Sequence, residues 1–246
     1  MPLSQTVIAR TTNSYIWISH LLCFIIMPMI DLHSHTVFSD GVLIPAELAR
    51  RAVATGYEAL AITDHMDHSN IDLIIPRIVK AVNALRGHMP ITLLPGAEIT
   101  HVPPALIPDL VKEARRLGAR IVIVHGETIV EPVVKGTNRA AIEAGVDILA
   151  HPGLISEDDL LFAREKSITL EITARKGHSI SNGHVAQSAM RLGIPLTINT
   201  DAHEPSNLIS LETARRILLS AGICPDKLQA IFSHARNLVT KAIGGM

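Results

Sequence analysis

From Met29 onward, short apolar runs alternate with longer stretches whose apolar residues recur every three or four positions. The short runs predict seven strands: MIDLHS (29–34), ALAITDH (59–65), ITLLPGAE (91–98), RIVIVHG (120–126), DILAHPG (147–153), ITLEITAR (168–175) and PLTINTDAH (195–203). Between them, stretches such as PAELARRAVATG (45–56), DLIIPRIVKAVNALRG (72–87), IPDLVKEARRLG (107–118) and NRAAIEAG (138–145) predict amphipathic helices. Gly56, Gly87, Gly118, Gly145, Gly193 and Gly222 stand where helices would stop, and SEDD at 156–159 carries a Ser-x-x-Asp start signal. Strand, helix, strand, repeated along the chain, predicts parallel strands joined by right-handed crossovers. No linker, low-complexity tract or repeat interrupts this rhythm, so residues 29–246 read as one domain.

Composition sharpens the picture. Apolar residues make up 48% of the 246 and aromatic residues only 3%, which suits strands buried on both faces beneath a layer of helices. The 22 basic and 23 acidic residues nearly balance, and no basic run marks a track for a long nucleic acid. Cys23 and Cys224 belong to no Cys-x-x-Cys motif, so the default compartment is the reducing cytosol. The apolar stretch YIWISHLLCFIIMPMI (15–30) could be a signal segment or a short anchor. It falls short of the roughly 20 apolar residues of a spanning helix, and His20 and Pro28 interrupt it. No stable membrane partner is expected; Met29 is read as the working start and residues 1–28 as a dispensable extension.

An open doubly wound sheet would share this rhythm, and the placement of polar residues decides against it. Neither GxGxxG nor GxxxxGK[ST] occurs, so the phosphate loop of an open sheet is missing. A barrel instead collects single residues from the C-terminal ends of many strands. The stretch DLHSHTVFSDG (31–41) offers His33 and His35, which on a strand would point to one face, with Asp40 in the loop behind them. Later strand ends offer His65 (TDH), Glu98 (GAE), His125 (VHG), His151 (AHPG), and Asp201 with His203 (TDAH). Any one of these alone reads as an ordinary strand-end polar group. Nine nitrogen and oxygen donors at one end, with no thiolate, suit divalent Zn, Mn or Fe, and they exceed what one ion can use. A carboxylate can bridge two ions, which makes Glu98 the bridging candidate. Asp64 either orients the neighbouring His65 ring or caps the strand in water; both readings stay open.

His-Ser-His, Thr-Asp-His, Gly-Ala-Glu, His-Gly, Ala-His-Pro-Gly and Thr-Asp-Ala-His, in that order, resemble the motifs of the PHP superfamily, named for polymerase and histidinol phosphatase. The resemblance spans residues 29–246. It implies an α/β fold, a distorted seven-stranded (β/α) TIM-like barrel, with three divalent ions at the C-terminal ends of the strands. By that resemblance His33, His35, Glu98 and Asp201 hold the first ion. Glu98 bridges to a second with His125 and His151, and Asp40, His65 and His203 take the third.

The implied activity is that of a metal-dependent, histidinol-phosphatase-like phosphomonoesterase. Bound ions lower the pKa of a water, making hydroxide available near neutral pH for in-line attack on phosphorus. His33, His35, Glu98, Asp201 and His203 form the expected catalytic group, and a small phosphorylated molecule is the expected partner. The sixth strand adds Glu171, read as barrel interior, and Arg175, Lys176 and His178 at its mouth. Arg175 is the first choice for gripping a phosphate, because a guanidinium donates bidentately; Lys176, His178 and His101 are the other substrate candidates. His68 reads as a solvated loop residue, and His88, His184 and His234 as surface residues in or beside helices. A nucleotide or oligonucleotide phosphoesterase on the same site is the alternative. An amidohydrolase, which would want a bridging lysine on the fourth strand, and a metal-binding module without turnover fit less well.

Overall fold

The computed structural model describes Met27 and residues 29–244. Apart from Met27, Met29 and Ile30, the apolar N-terminal stretch lies outside these, as does the expectation that residues 1–28 are dispensable.

Seven parallel strands follow one another around a nearly closed barrel: β1 (Met29–Asp31), β2 (Tyr57–Ile62), β3 (Thr92–Ile99), β4 (Ile121–His125), β5 (Ile148–Ala150), β6 (Thr169–Thr173) and β7 (Leu196–Asn199). A two-residue piece, His65–Met66, continues β2 and pairs with the end of β3. Helices intervene: α1 (Pro45–Thr55), α2 (Ile71–Leu85), α3 (Ile107–Leu117), α4 (Thr137–Ala144), α5 (Glu157–Lys166), α6 (Asn182–Leu192), α7 (Leu211–Ser220) and α8 (Leu228–Gly244). The predicted punctuation holds. Ser156 accepts the Asp159 N–H at 3.2 Å to start α5, and the six glycines named as helix stops all take positive φ.

Period-two alternation divides the apolar residues between two cores. Leu60, Ile62, Val122, Val124, Leu149, Leu170, Ile172, Leu196 and Ile198 face the helices. Ala59, Ala61, Leu94, Ile121, Ile123, Ile148 and Ala150 fill the interior, together with Ala235, Leu238, Val239 and Ala242 of α8. The C-terminal helix thus packs against the apolar interior. The inner side of β6 and β7 differs, because Thr169, Glu171, Thr173, Thr197 and Asn199 are buried there among polar neighbours.

Side chains do much of the work of closing the barrel between β1 and β7. Asn199 Oδ1 accepts the Leu32 N–H at 2.9 Å, and Asp31 accepts from the Thr200 N–H at 3.1 Å and from its hydroxyl. The His35 N–H donates to the Ala202 carbonyl at 2.8 Å. Burial pushes the Asp31 carboxyl up to about 6, against the lowering effect of its Thr200 bonds.

Two of the histidines read as surface residues are partly enclosed. His234 is half-buried on α8 with Nε2 2.9 Å from Thr169 Oγ1. His184 is also half-buried, its Nε2 donating to the Ile155 carbonyl at 3.1 Å. Among the described residues, no helix is long and apolar enough to cross a membrane.

Candidate metal centre

The side chains of interest sit at or just past the C-terminal ends of the strands. β1 ends at Asp31, earlier than expected, so His33 and His35 lie on the segment beyond it. That segment is still fixed: Ser34 bridges to Ala202, and its carbonyl accepts the Thr63 N–H at 2.8 Å. The two imidazoles lie 5.1 Å apart between centroids. Asp64 neither touches an imidazole nor caps a strand in water. It is fully buried and accepts from the Thr36 N–H (2.8 Å), Thr36 Oγ1 (2.8 Å), the Ser39 N–H (3.1 Å) and Ser39 Oγ (2.7 Å). Those bonds fold the loop that brings Asp40 back over the site.

The loops after β4 and β5 approach each other closely. At Gly153, φ is +63° and an added Cβ would stand 1.9 Å from the Glu127 carbonyl oxygen, so Ala-His-Pro-Gly can end only in glycine. His151, Asp201 and His101 have positive φ without being glycine (24°, 51° and 53°), a conformation that costs roughly 1–3 kcal/mol each and collects at functional positions.

Around Glu98 the donors converge. Its Oε2 lies 2.7 Å from His65 Nδ1, 3.3 Å from His33 Nε2 and 3.5 Å from His35 Nε2. Asp201 Oδ1 lies 3.1 Å from His35 Nε2 and 3.6 Å from His33 Nε2. On the outer side Asp40 stands 3.1 Å from His203 Nε2 and 3.5 Å from His65 Nε2. On the other side His151 Nε2 is 3.8 Å from Glu98 and 3.7 Å from Asp201, with the His125 ring edge-on to it. All nine predicted donors therefore meet at one mouth. His33, His35 and Glu98 form one group of donors able to share an ion, and His35, Asp40, His65 and His203 form another.

These groups fit divalent metal ions. His33 Nε2, both ring nitrogens of His35 and of His151, both Glu98 oxygens and Asp201 Oδ1 are buried without a hydrogen bond. Unsatisfied buried polar atoms are costly, and so many in one place are accounted for by cations that take their lone pairs. On His33, His203 and His65 the opposite ring nitrogen is tied down, as is usual for metal-bound imidazoles. His33 Nδ1 is 2.8 Å from Glu171 Oε2, itself held by the Asn199 amide at 2.9 Å. His203 Nδ1 donates to the Asp201 carbonyl at 2.9 Å, and His65 Nδ1 lies 2.7 Å from Thr100 Oγ1. Glu171, read from sequence as interior support, is the group that orients His33.

Charge in the metal-free cluster is shared between carboxylates and imidazoles. Burial alone would depress His65, but Glu98 and then Asp40 hold it up at about 10; burial likewise opposes, and Glu98, Glu171 and Asp201 overcome, a strong rise at His33. Burial raises Glu98 less than His33 and His65 lower it, so it stays ionised. His35, dominated by its burial, falls to about 4. A metal ion must displace the protons held at His33 and His65, so loading should release protons and tighten as pH rises. Adding Zn²⁺ to stripped protein in weak buffer near pH 7 should release about one to two protons per chain; no release on confirmed loading would contradict this charge pattern.

Over the cluster opens a cleft of about 410 Å³. Among the described residues, Arg175 is the one lysine or arginine lining it, with Nε 4.0 Å from Asp201 Oδ2 and Nη1 donating to Asn207 Oδ1 at 3.2 Å. His101 and His178 line it too, whereas Lys176 is exposed and faces a neighbouring depression with Glu204 and Ser206. His68 is exposed, as expected. The cleft also contains Glu131, which no sequence pattern singled out.

Comparison with known proteins places this arrangement. The family model described as PHP domain matches residues 31–131. An uncharacterised protein of Methanocaldococcus jannaschii is 46% identical over 215 residues, 87% of this chain and 99% of that one. A chain of an archaeal ribonuclease P, solved with mature tRNA, superposes with a TM-score of 0.70 at 18% identity, covering 89% of this chain and 93% of its own. A histidinol phosphate phosphatase of Lactococcus lactis, solved with zinc, L-histidinol and phosphate, gives 0.54 at 19% identity, covering 79% and 94%. The two structural likenesses are likenesses of fold.

Proposed function

We propose, for this member of the PHP domain family and metal-dependent hydrolase of phosphoric esters, that its substrates are small phosphomonoesters, in the manner of a histidinol phosphatase. The observation that carries this reading is the pairing of a buried metal-fitting cluster with a single guanidinium, Arg175, across a cleft of about 410 Å³. One dianionic phosphate matches that charge arrangement. A polynucleotide would want a track of cations along its backbone.

We assign three ions, as Zn, Mn or Fe, to the sets His33–His35–Glu98–Asp201, Glu98–His125–His151 and Asp40–His65–His203. Divalent ions bound there supply an activated water and neutralise phosphate charge. The remaining work belongs to side chains of this chain. Glu171, the Asp201 carbonyl and Thr100 hold His33, His203 and His65 in fixed ring orientations. Buried walls keep bulk water from Glu98 and Asp201. Arg175 grips the phosphoryl oxygens and sets the ester in line. An exposed free thiol at Cys224 fits the reducing cytosol, which we take as the compartment.

Arg175→Ala should raise KM for a phosphomonoester about 10- to 100-fold, the worth of a hydrogen bond to a charged group. Unchanged kcat/KM would remove Arg175 from the site. The substrate reading is tested with a panel of histidinol phosphate, 3′- and 5′-mononucleotides and sugar phosphates, set beside single-stranded RNA and 3′-phosphorylated oligonucleotides. Release of phosphate from one or a few monoesters, with the polymers untouched, is the expected outcome. Cleavage of RNA or oligonucleotide with all monoesters inert would replace this reading by the nuclease alternative, the direction in which the ribonuclease P likeness points.

A further inference from the structure

Two imidazoles of the cluster, His35 and His151, have no hydrogen bond at either ring nitrogen. On His33, His65, His125 and His203 one nitrogen meets an oxygen that fixes the ring. The torsion that turns an imidazole is broad, whereas the lone pair an ion takes lies in the ring plane. A ligating ring with no partner on its far nitrogen needs something else to set that plane. His35 has it in the rings of His65 and His203, each 4.2 Å away and both among the nine donors.

His151 has it in a residue outside the nine. The ring of His178 stacks on it at 4.2 Å with only 13° between planes. The other neighbours of His151 lie less parallel, His33 at 5.7 Å and 28° and His125 edge-on at 72°. From this geometry we infer that His178 is a positioning residue, whose ring face sets the plane of His151 and so aims the His151 lone pair at the second ion. The inference rests on the assignment of His151 to that ion.

His178 is built to act as a fixed plate. It is buried in the short turn that follows β6, and that turn is tied back to the strand. There the Asn182 amide accepts the Thr173 N–H at 3.1 Å and donates to the Thr173 carbonyl at 2.8 Å. Its own ring is held at both nitrogens by the loop after β4. Nδ1 lies 2.7 Å from Thr128 Oγ1, and Nε2 lies 3.3 Å from Glu131 Oε1. The donors of His125, His151 and His178 are close enough to be grouped together. Nearly parallel planes, however, send the lone pairs of His151 and His178 alongside one another rather than to one point. The face of His178 is therefore what His151 uses.

Equilibrium dialysis of the full chain against buffered Zn²⁺, followed by elemental analysis, tests this. His151→Ala should abolish one step of ion uptake, which marks the second ion. In His178→Ala that step should weaken about 10- to 100-fold, the usual cost of losing a group that orients a ligand. His178→Phe keeps a flat ring and loses both nitrogens, and it should weaken the step by less than about tenfold. Should His178→Ala fail to fold, Thr128→Val takes its place: it leaves the ring but frees its Nδ1, and the same step should weaken. An unchanged step in His178→Ala, or in Thr128→Val where that is measured, would overturn the inference. So would a His178→Phe as weak as His178→Ala, because the nitrogens and not the face would then matter. A raised KM with ion uptake unchanged would make His178 a substrate contact and would overturn it too. If His151→Ala takes up ions as the wild type does, the ligand assignment beneath the inference fails instead, so the two failures are distinguishable.

Discussion

Replacing Glu98 by Gln should lower kcat for a phosphomonoester by about 10³-fold or more, a loss on the scale of deleting a key electrostatic group. Glu98 is fully buried at the end of β3, and neither of its oxygens has a hydrogen bond. One oxygen lies within 3.5 Å of His33, His35 and His65, and the other faces His151 at 3.8 Å. Like Asp201, it is a carboxylate shared by both sides of the cluster. An amide keeps the shape, loses the charge, and turns an NH₂ towards nitrogens that must face a cation. Steady-state kinetics with elemental analysis of the same preparations check this. Activity within tenfold of wild type would show that Glu98 does not join the two sides.

Stripping the metal should lower thermal stability by about 10 °C or more. Without cations, the buried Glu98 and Asp201 carboxylates are balanced mainly by His33 and His65, with Arg175 4.0 Å from Asp201, while His35 and His151 are driven towards neutrality by burial. An ion present at about 1,000 times its Kd adds about 4 kcal/mol to stability, and for a chain of this size each kcal/mol is worth about 2–4 °C. Calorimetry of stripped and Zn- or Mn-loaded protein reads this shift. An unchanged Tm, with removal of metal verified, would mean that the cluster is satisfied without cations.

Eight of the nine donors were legible because they stand at or just past the end of an apolar run, two pairs are spaced by a single residue, and parallel strands bring those ends together; Asp40 was legible only from the loop that follows His33 and His35. The orienting groups were not legible in the same way. Glu171 meets His33 across 138 positions of chain, and inward alternation on β6 marks it only as buried. Asp64 reads as a partner of His65 because the two adjoin, yet its bonds run to Thr36 and Ser39, a choice made by loop geometry. Glu131 follows His125 by six residues in a loop with no period, and only the fold reveals the imidazoles that surround it. The C-terminal helix did leave a trace, in buried Leu228, Ile231, Ala235, Leu238 and Ala242 at helical spacing. That its inner face packs against the barrel interior follows only from the closed sheet.

The most direct test of the account is a metal titration of activity. Stripped protein is titrated with Zn²⁺ or Mn²⁺ while phosphate release from an accepted phosphomonoester and bound metal are followed together. Activity should rise from background to a plateau reached only with more than one ion bound per chain. Full occupancy without hydrolysis of any phosphoric ester, or hydrolysis that persists in the stripped protein, would contradict it.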